Sequence, residues 1–185
     1  MPFSFTPTSL PGVVIIEPTA FVDNRGFFLE TYKQSDFKRA GIDGSFVQEN
    51  HSRSAKDTLR GLHAQRSPRA QSKLVRVIEG EILDVAADVR KDSPMFGQWV
   101  GVTLSAENRR LLYVPAGYVH GFYVVSAEAQ VIYKTSDEYA PECEYGVRWD
   151  DPQLGIRWPG TSPVLSERDQ RWPLLSEFGV RGGRG

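Results

Sequence analysis

Three histidines in polar surroundings are the first candidates for chemistry in this chain. Histidine is the side chain best matched to proton transfer near neutral pH. His51, His63 and His120 lie in the segments QENHSRS, LRGLHAQ and PAGYVHGF, each in or beside a strand-like stretch. A single histidine in a strand is more often structural than catalytic. Because all three have Arg, Asn or Gln nearby, a structural role and an acid–base role both stay open.

The same histidines make a metal site one hypothesis. The segment 115–120, PAGYVH, resembles the second cupin motif, in which the histidine often binds metal. The first cupin motif would supply two histidines separated by one residue, and a glutamate. Here His63 is followed by Ala64 and Gln65, so the second histidine of the pair is missing. We therefore expect no bound metal.

Basic side chains cluster in the first half of a chain whose charges nearly cancel, 22 Lys and Arg against 23 Asp and Glu. The balance argues against nucleic acid or a membrane surface as a partner. Arginine binds phosphate through paired hydrogen bonds, so the cluster is a candidate anion site, with a solvated face as the alternative. Its members are Arg25, Arg53, Arg60, Arg66, Arg69, Lys73 and Arg76.

Arg60 and Lys73 differ from the other basic residues because they lie inside strand patterns, where a charge needs a function or a partner. Two tyrosines lie in a similar setting. Tyr133 is flanked by apolar residues in QVIYKTS, and Tyr139 follows at the exit of the same strand. Taken alone, a strand tyrosine is usually a packing residue.

Short β-like segments separated by turns must position these side chains. Alternation places Asp84 and Asp88 on one face of their strand, and Leu74 opposite Lys73. The segments 73–77 and 81–89 are predicted to form a hairpin through Glu79-Gly80. The predicted strands are 13–17, 27–32, 46–50, 59–65, 73–77, 81–89, 98–104, 110–114, 121–125 and 130–136.

Little of the chain has a helical pattern. Residues 34–40 are predicted to form a short helix, with Ser35 as its N-cap and Gly41 just beyond its end. Many short strands with Gly and Pro between them predict an all-β fold, a jelly-roll barrel or sandwich with a few short helices. Such barrels bind a small ligand in their mouth.

The length of 185 residues favours one domain over residues 1–178, followed by a Gly/Arg-rich tail, 179–185, that we expect to be disordered. The lone Cys143 cannot form an internal disulfide, which favours the cytoplasm. No apolar run approaches the ~20 residues that span a bilayer. The N-terminus also lacks the pattern of a signal peptide.

Long strings along nearly the whole chain, from roughly residue 12 to 175, resemble the dTDP-4-dehydrorhamnose 3,5-epimerase family. Many such strings in order are far more specific than one short motif. They include DNRGFFLETY (23–32), FVQENHSRS (46–54), LRGLHAQ (59–65), VPAGYVHGF (114–122) and LSERDQ (165–170). The resemblance implies a cupin-type jelly roll and a homodimer. It also implies epimerisation of dTDP-4-dehydro-6-deoxy-D-glucose at carbons 3 and 5, towards L-rhamnose, without metal or other cofactor.

The resemblance also implies a role for each matching residue. His63 is expected to be the base and Tyr133 the acid, with Asp169 paired to His63 and Lys73 beside the 4-keto oxygen. Tyr139 matches the tyrosine that stacks on thymine. Because part of the family's site comes from the partner subunit, Arg25 and Glu30 are expected to act across a dimer interface. The substrate-binding set is Arg25, Glu30, Gln48, Asn50, Arg60, His120, Tyr139, Glu144 and Arg168.

The chain departs from the family pattern at several positions. Ala64 stands where an aromatic residue is usual, and we expect only a packing change because residue 64 should point away from the site. Cys143 stands where histidine is common, and Ser72 where glycine is frequent. Arg168 replaces a common lysine, which keeps the charge but not the geometry. Three alternatives stay open: epimerisation at carbon 3 only, a binding module without turnover, and a metal-dependent cupin.

Overall fold

Antiparallel strands form most of the regular structure in the computed structural model, which describes residues 2–178. The strands are β1 (Phe3–Pro7), β2 (Val14–Pro18), β3 (Phe21–Asp23), β4 (Gly26–Phe28), β5 (Gln48–Ala55), β6 (Leu59–Gln65), β7 (Lys73–Glu79), β8 (Glu81–Asp88), β9 (Trp99–Ser105), β10 (Leu111–Val114), β11 (Tyr118–Val124), β12 (Glu128–Thr135) and β13 (Glu144–Gly146). The helices are α1 (Gln34–Arg39) and α2 (Glu167–Gln170), with 3₁₀ turns at Pro141–Cys143 and Leu175–Glu177.

Two sheets face each other. The larger has six strands in the order β1-β2-β10-β7-β12-β5, and the smaller has five in the order β13-β6-β11-β8-β9. Strands β3 and β4 form a separate two-stranded hairpin. The prediction of an all-β jelly roll with a few short helices is confirmed.

The main core lies between the two sheets. Val75 and Val77 of β7 pack there with Ala86 of β8 and Phe122 of β11. Leu74 points the other way and packs with other residues on the outer side of the larger sheet. The predicted alternation in β7 is therefore confirmed. In β8, Asp84 shares the inner face with Ala86, as alternation requires.

The predicted hairpin of residues 73–77 and 81–89 is wrong. Strand β7 belongs to the six-stranded sheet and β8 to the five-stranded sheet, so the chain crosses between sheets at Gly80. Gly80 has a φ of +76°, and a Cβ there would lie 2.0 Å from the Glu128 carbonyl oxygen. The Glu79-Gly80 pair therefore makes a corner, which a sequence pattern cannot distinguish from a two-residue turn.

Several element boundaries also differ from the sequence prediction. Helix α1 has Lys33 as its N-cap residue and no side-chain cap, so Ser35 is not the cap. Gly41 follows the helix with a φ of +82°, as predicted. Strands β1, β3 and β13 and helix α2 were not predicted. Helix α2 is capped by Ser166, whose hydroxyl accepts a hydrogen bond from the Asp169 amide.

The predicted tail, 179–185, lies outside the described residues. Within residues 2–178, no helix combines the length and the apolar character needed to cross a membrane.

Candidate active site

A cavity of about 310 Å³ is lined by side chains from both sheets. It contains most of the residues expected to act on substrate, namely Gln48, Asn50, Arg60, His63, Lys73, Tyr133, Tyr139, Glu144 and Arg168. A larger groove of about 500 Å³ lies beside Tyr145 and Trp172, and it shares only Glu144 with that set. The smaller cavity is therefore the candidate active site, because titratable groups converge there.

His63 projects from β6 at the inner end of this cavity. The adjacent strand β11 places His120 directly opposite it. The two strands approach closely because Gly61 and Gly121 lack side chains, and a Cβ at Gly61 would lie 2.6 Å from the Gly121 Cα. Burial lowers the pKa of His63 well below its usual 6.5, and the charges of Lys73, His120 and Arg168 lower it further. The imidazole is therefore neutral near neutral pH and is able to accept a proton.

Lys73 enters the cavity from β7, in the opposite sheet. Its Nζ lies 3.5 Å from the His63 carbonyl oxygen. Burial lowers the pKa of Lys73 from 10.5 to about 8, while the negative charges of Asp84 and Glu144 act in the opposite direction. Below about pH 8 the side chain is therefore an ammonium group in a poorly hydrated site, close to the candidate base.

Tyr133 lies on β12, which is also part of the six-stranded sheet. It faces Val75 of β7 on one side and Asn50 of β5 on the other. Burial raises the pKa of the Tyr133 phenol, and the charges of Arg60 and Arg168 partly oppose that rise. The phenol therefore keeps its proton at neutral pH and is able to act as an acid.

Polar and charged groups form the outer part of the cavity. The Arg168 guanidinium donates to both carboxylate oxygens of Glu144, at 3.0 and 3.2 Å. The Nε of Arg60 donates to the Ser54 hydroxyl at 3.0 Å. These two guanidinium groups line the same cavity and suit an anionic ligand.

The segment that carries Tyr139 is held in place by the Gln48 side chain. Gln48 accepts a hydrogen bond from the Tyr139 amide at 2.9 Å and donates to Asn50 at 2.9 Å. The Tyr139 residue itself is 53% exposed, so its ring is available to a ligand at the mouth of the cavity.

Asp169 is close to His63 in the chain fold but does not form the expected pair. Its carboxylate accepts from the Arg168 Nε at 3.2 Å, the Trp172 indole at 3.4 Å and the Gly61 amide at 3.4 Å. The Nδ1 atom of His63 is buried and has no hydrogen-bond partner. The expected hydrogen bond is thus absent, and the Asp169 oxygens accept from these three other donors.

Three other predicted binding residues do not line the cavity. His120 is buried behind the wall, and its Nε2 lies 2.7 Å from the Asp84 carboxylate. Arg25 is exposed and pairs with Asp23 in the turn between β3 and β4. Glu30 lies 3.9 Å from Lys33, after that hairpin. None of these contacts brings Arg25 or Glu30 to the cavity of their own chain.

The cavity also contains residues that the sequence did not identify as part of the site. Gln65 donates to the Arg69 and Glu138 carbonyls and accepts from the Ala140 amide. Gln71 and Thr135 both donate to the Asp137 carbonyl, at 2.6 and 2.9 Å. These bonds hold the segment that bears Tyr139. Thr135 could have been found from its period-two spacing to Tyr133, whereas no pattern identified Gln71.

Ala64 packs with Leu62 and Val147 in a second core on the outer side of the smaller sheet, as its strand position predicted. It also borders the cavity, so the two environments meet at this residue.

The three histidines do not come together. His51 is on β5, where its ring contacts Gln130 at 2.8 Å. Across residues 2–178, no cluster of three or more His, Cys, Asp and Glu side chains has a geometry that could hold a metal ion.

Comparison with known proteins gives a consistent picture. The family model for dTDP-4-dehydrorhamnose 3,5-epimerase matches residues 7–177. The dTDP-4-dehydrorhamnose 3,5-epimerase of Pseudomonas aeruginosa is 53% identical over 174 residues, which cover 93% of this chain and 96% of that protein.

Two solved structures bear on the site. A Legionella pneumophila 3,5-epimerase in complex with dTDP-4-keto-L-rhamnose superposes with a TM-score of 0.92 and 47% identity, over 96% of this chain and 95% of that one. A 3'-monoepimerase from Streptomyces bikiniensis in complex with dTDP-quinovose has a TM-score of 0.88 and 37% identity, over 92% and 87%. By its sequence, its fold and its family match, this chain belongs to the dTDP-4-dehydrorhamnose 3,5-epimerase family.

Proposed function

We propose that the chain epimerises dTDP-4-dehydro-6-deoxy-D-glucose at carbons 3 and 5, which yields dTDP-4-dehydro-L-rhamnose for L-rhamnose synthesis. The observation that carries this proposal is that His63, Lys73 and Tyr133 line one cavity. Burial there lowers the pKa of His63 well below 6.5, lowers that of Lys73 to about 8 and raises that of Tyr133, which favours a neutral base, an ammonium group and a protonated acid near neutral pH. Removal and return of a proton beside a ketone needs a base, a positive charge and an acid of this kind.

The ketone makes the reaction accessible to side-chain chemistry. The hydrogens on carbons 3 and 5 flank the 4-keto group, so loss of either as a proton leaves an enolate. Lys73 is proposed to stabilise the enolate oxygen, where a preorganised donor contributes roughly 3–4 kcal/mol. The ketone accepts the electron pair from the broken C–H bond, so the proposed reaction requires no metal or organic cofactor.

Inversion requires that the proton return to the opposite face of the sugar. His63 lies on the five-stranded sheet and Tyr133 on the six-stranded sheet, so the two side chains come from facing walls of the cavity. We propose that His63 takes the proton from one face and Tyr133 supplies one to the other. A base and an acid on facing walls suit inversion better than simple exchange at one face.

The outer part of the cavity is proposed to hold the nucleotide. Arg60 and Arg168 are suited to the diphosphate, because guanidinium groups bind phosphate oxygens in pairs. The exposed Tyr139 ring is proposed to stack on thymine. Gln48 and Asn50, which line the same cavity, are proposed to contact the nucleotide-sugar as well.

A second copy of the chain is proposed to complete the site. The β3–β4 hairpin exposes Phe21, Val22, Phe27 and Phe28, each at least 59% accessible. Exposed apolar side chains clustered in this way mark an interaction site. Arg25 lies in the turn of that hairpin. A symmetric dimer would let it reach the partner's cavity.

Complementation tests the shared site. Arg25→Ala and His63→Asn variants are each expected to be inactive alone. After the two are unfolded together and refolded, about a quarter of the sites should carry both wild-type residues, because each heterodimer regains one site. Activity that fails to return, with dimers present by light scattering, would place Arg25 outside the partner's site.

The main experiment is product analysis after incubation with dTDP-4-keto-6-deoxyglucose in deuterated water. Deuterium at carbons 3 and 5, with the L-rhamno product, supports the proposed activity. Stable inversion at carbon 3 alone would favour the second candidate, a 3-epimerase. The similarity to the 3'-monoepimerase from Streptomyces bikiniensis supports that candidate. Exchange at neither carbon would contradict both. The predicted cytoplasmic location suits an enzyme that acts on a nucleotide-sugar.

A further inference from the structure

Asp84 is a fully buried carboxylate that does not line the candidate active site. It lies on the inner face of β8, and its exposure is 0%. One oxygen, Oδ1, is 2.7 Å from the Nε2 atom of His120. The other, Oδ2, is buried without a hydrogen-bond partner. A carboxylate in such a place is costly unless a nearby positive charge compensates it.

The strand register connects Asp84 to the candidate base. His63 on β6 faces His120 on β11, and His120 faces Ala86 on β8. Asp84 is two residues from Ala86 and so points to the same face. His63, His120 and Asp84 therefore form a polar row that leads from the cavity into the interior of the barrel.

Lys73 supplies the missing positive charge from the opposite sheet. Negative charge on Asp84 and Glu144 favours the ammonium form of Lys73, and positive charge on Arg168 disfavours it. Glu144 is already engaged, because the Arg168 guanidinium donates to both of its oxygens. Among residues 2–178, the only side chain in hydrogen-bond contact with Asp84 is His120, at 2.7 Å. Of these two carboxylates, Glu144 is therefore compensated by Arg168, and the charge of Asp84 is the one that favours the ammonium form of Lys73.

The titratable groups nearest to Lys73 come from both sheets and from α2. They are His63 on β6, Asp84 on β8, His120 on β11, Tyr133 on β12, Glu144 on β13 and Arg168 on α2. Strand β10, the other neighbour of β7, carries Tyr113, which pairs with Leu74 on the outer side of the sheet.

Resting on the proposed function, we propose that Asp84 is a positioning residue of the reaction. Its carboxylate is held in place by His120 and keeps Lys73 protonated while negative charge develops on the 4-keto oxygen. Asp84 is not expected to touch the substrate, because it is fully buried and does not line the cavity. His120 thereby gains a role in fixing the Asp84 carboxylate.

The experiment follows the titration of Lys73 directly. Protein labelled with ¹³C at the lysine ε-carbon is titrated by NMR, and the Lys73 signal is identified by its loss in Lys73→Arg. The wild-type midpoint is expected near 8. In Asp84→Asn, which keeps the shape and removes the charge, it should fall by about one pH unit or more.

The matched control is Asp88→Asn. Asp88 is also fully buried and lies on the same face of β8, but it bonds to Arg90 and Ser93 at 2.6 Å each. Its loss should leave the Lys73 midpoint unchanged. In Asp84→Asn, the alkaline limb of the kcat/KM profile should move down with the midpoint, a change that a merely structural role would not produce.

A Lys73 midpoint in Asp84→Asn that equals the wild-type value, whatever happens to activity, would overturn the proposal. If that variant does not fold, Asp84→Ser carries the same prediction with a smaller side chain. The NMR titration needs no substrate. A wild-type protein without epimerase activity would therefore refute the proposed function, while the titration would still decide whether Asp84 supports the Lys73 charge.

Discussion

Replacement of Lys73 by methionine is expected to stabilise the protein at neutral pH while it removes activity. Methionine has a similar length and no charge, so it fits the apolar part of the site. The charged lysine is only 6% exposed, and burial disfavours its ammonium form. Loss of the donor to the enolate should lower kcat by about 10²–10³-fold.

The magnitude of the stability effect follows from the two pKa values of Lys73. The pKa is about 8 in the folded protein and 10.5 when solvated, so the folded state loses its proton first as pH rises. The unfolded chain binds more protons between these values, and stability therefore increases with pH there. For the wild type, the Lys73 contribution to the free energy of unfolding should grow by about 2.5 kcal/mol between about pH 7 and pH 10.

Urea unfolding followed by tryptophan fluorescence measures this contribution. Wild type and Lys73→Met are compared at matched protein concentration, because association would otherwise shift the midpoint. Groups other than Lys73 titrate in both proteins, so the difference between them isolates the Lys73 term. The advantage of Lys73→Met should be largest near neutral pH and should shrink as the solution becomes alkaline.

Lys134→Met is the matched control, because it removes an ammonium from the outer face of β12, where Lys134 pairs with Glu49. A difference between wild type and Lys73→Met that stays constant from about pH 7 to about pH 10 would refute the reasoning, since the Lys73 ammonium would then be as well solvated as in the unfolded chain.

Three further outcomes are expected. In the kcat/KM profile, activity should persist at about pH 6 because burial holds the pKa of His63 well below 6.5, and it should decline above about pH 8 as Lys73 loses its proton. Tyr133→Phe should retain deuterium exchange catalysed by His63 but lose most inversion, by about 10²–10⁴-fold; equal loss of exchange and inversion in NMR time courses would contradict the division of roles. Gly146→Ala should lower the free energy of unfolding by about 1–3 kcal/mol. A Cβ at this position would lie 2.4 Å from the Leu62 carbonyl oxygen and 2.6 Å from the Trp172 ring. Urea unfolding that is unchanged in this variant would contradict the close packing.

The sequence was a good guide to the fold where alternation and turn residues act locally. The strand at residues 59–65 was predicted with its observed bounds, and the facing of Leu74 and Lys73 followed from the period of two. The hairpin at Glu79-Gly80 was wrong because a turn within one sheet and a corner between two sheets use the same residues. Local pattern does not specify which sheet a strand joins, since that depends on partners distant in sequence.

The candidate site depended on family resemblance more than on residue type. From its residue type alone, His63 could have had a structural or an acid–base role. The same interpretation applied to His51, which lies away from the cavity. Neighbouring polar residues could not separate the two. What separates them is burial beside Lys73 and His120, and burial of that kind arises only when the sheets meet. The pairing of Asp169 with other donors was likewise invisible in the sequence.

A single physical cause explains most of the protonation states in the cavity. Desolvation disfavours every charged form, so it lowers the pKa of His63, raises that of Tyr133 and lowers that of Lys73. The first two shifts suit a neutral base and a protonated acid. The third opposes the function, because an uncharged amine would stabilise an enolate poorly.

A site with this chemistry therefore needs a negative charge that favours the ammonium form of the lysine. That charge must not occupy the N–H donors of the ammonium in an ion pair. Asp84 meets this requirement, since it contacts His120 and forms no ion pair with Lys73, while its charge favours the ammonium form. Glu144 lies at the cavity wall but is bound by Arg168. The buried carboxylate in the barrel interior thus explains how one desolvated cavity can hold a neutral imidazole and a charged ammonium at the same pH.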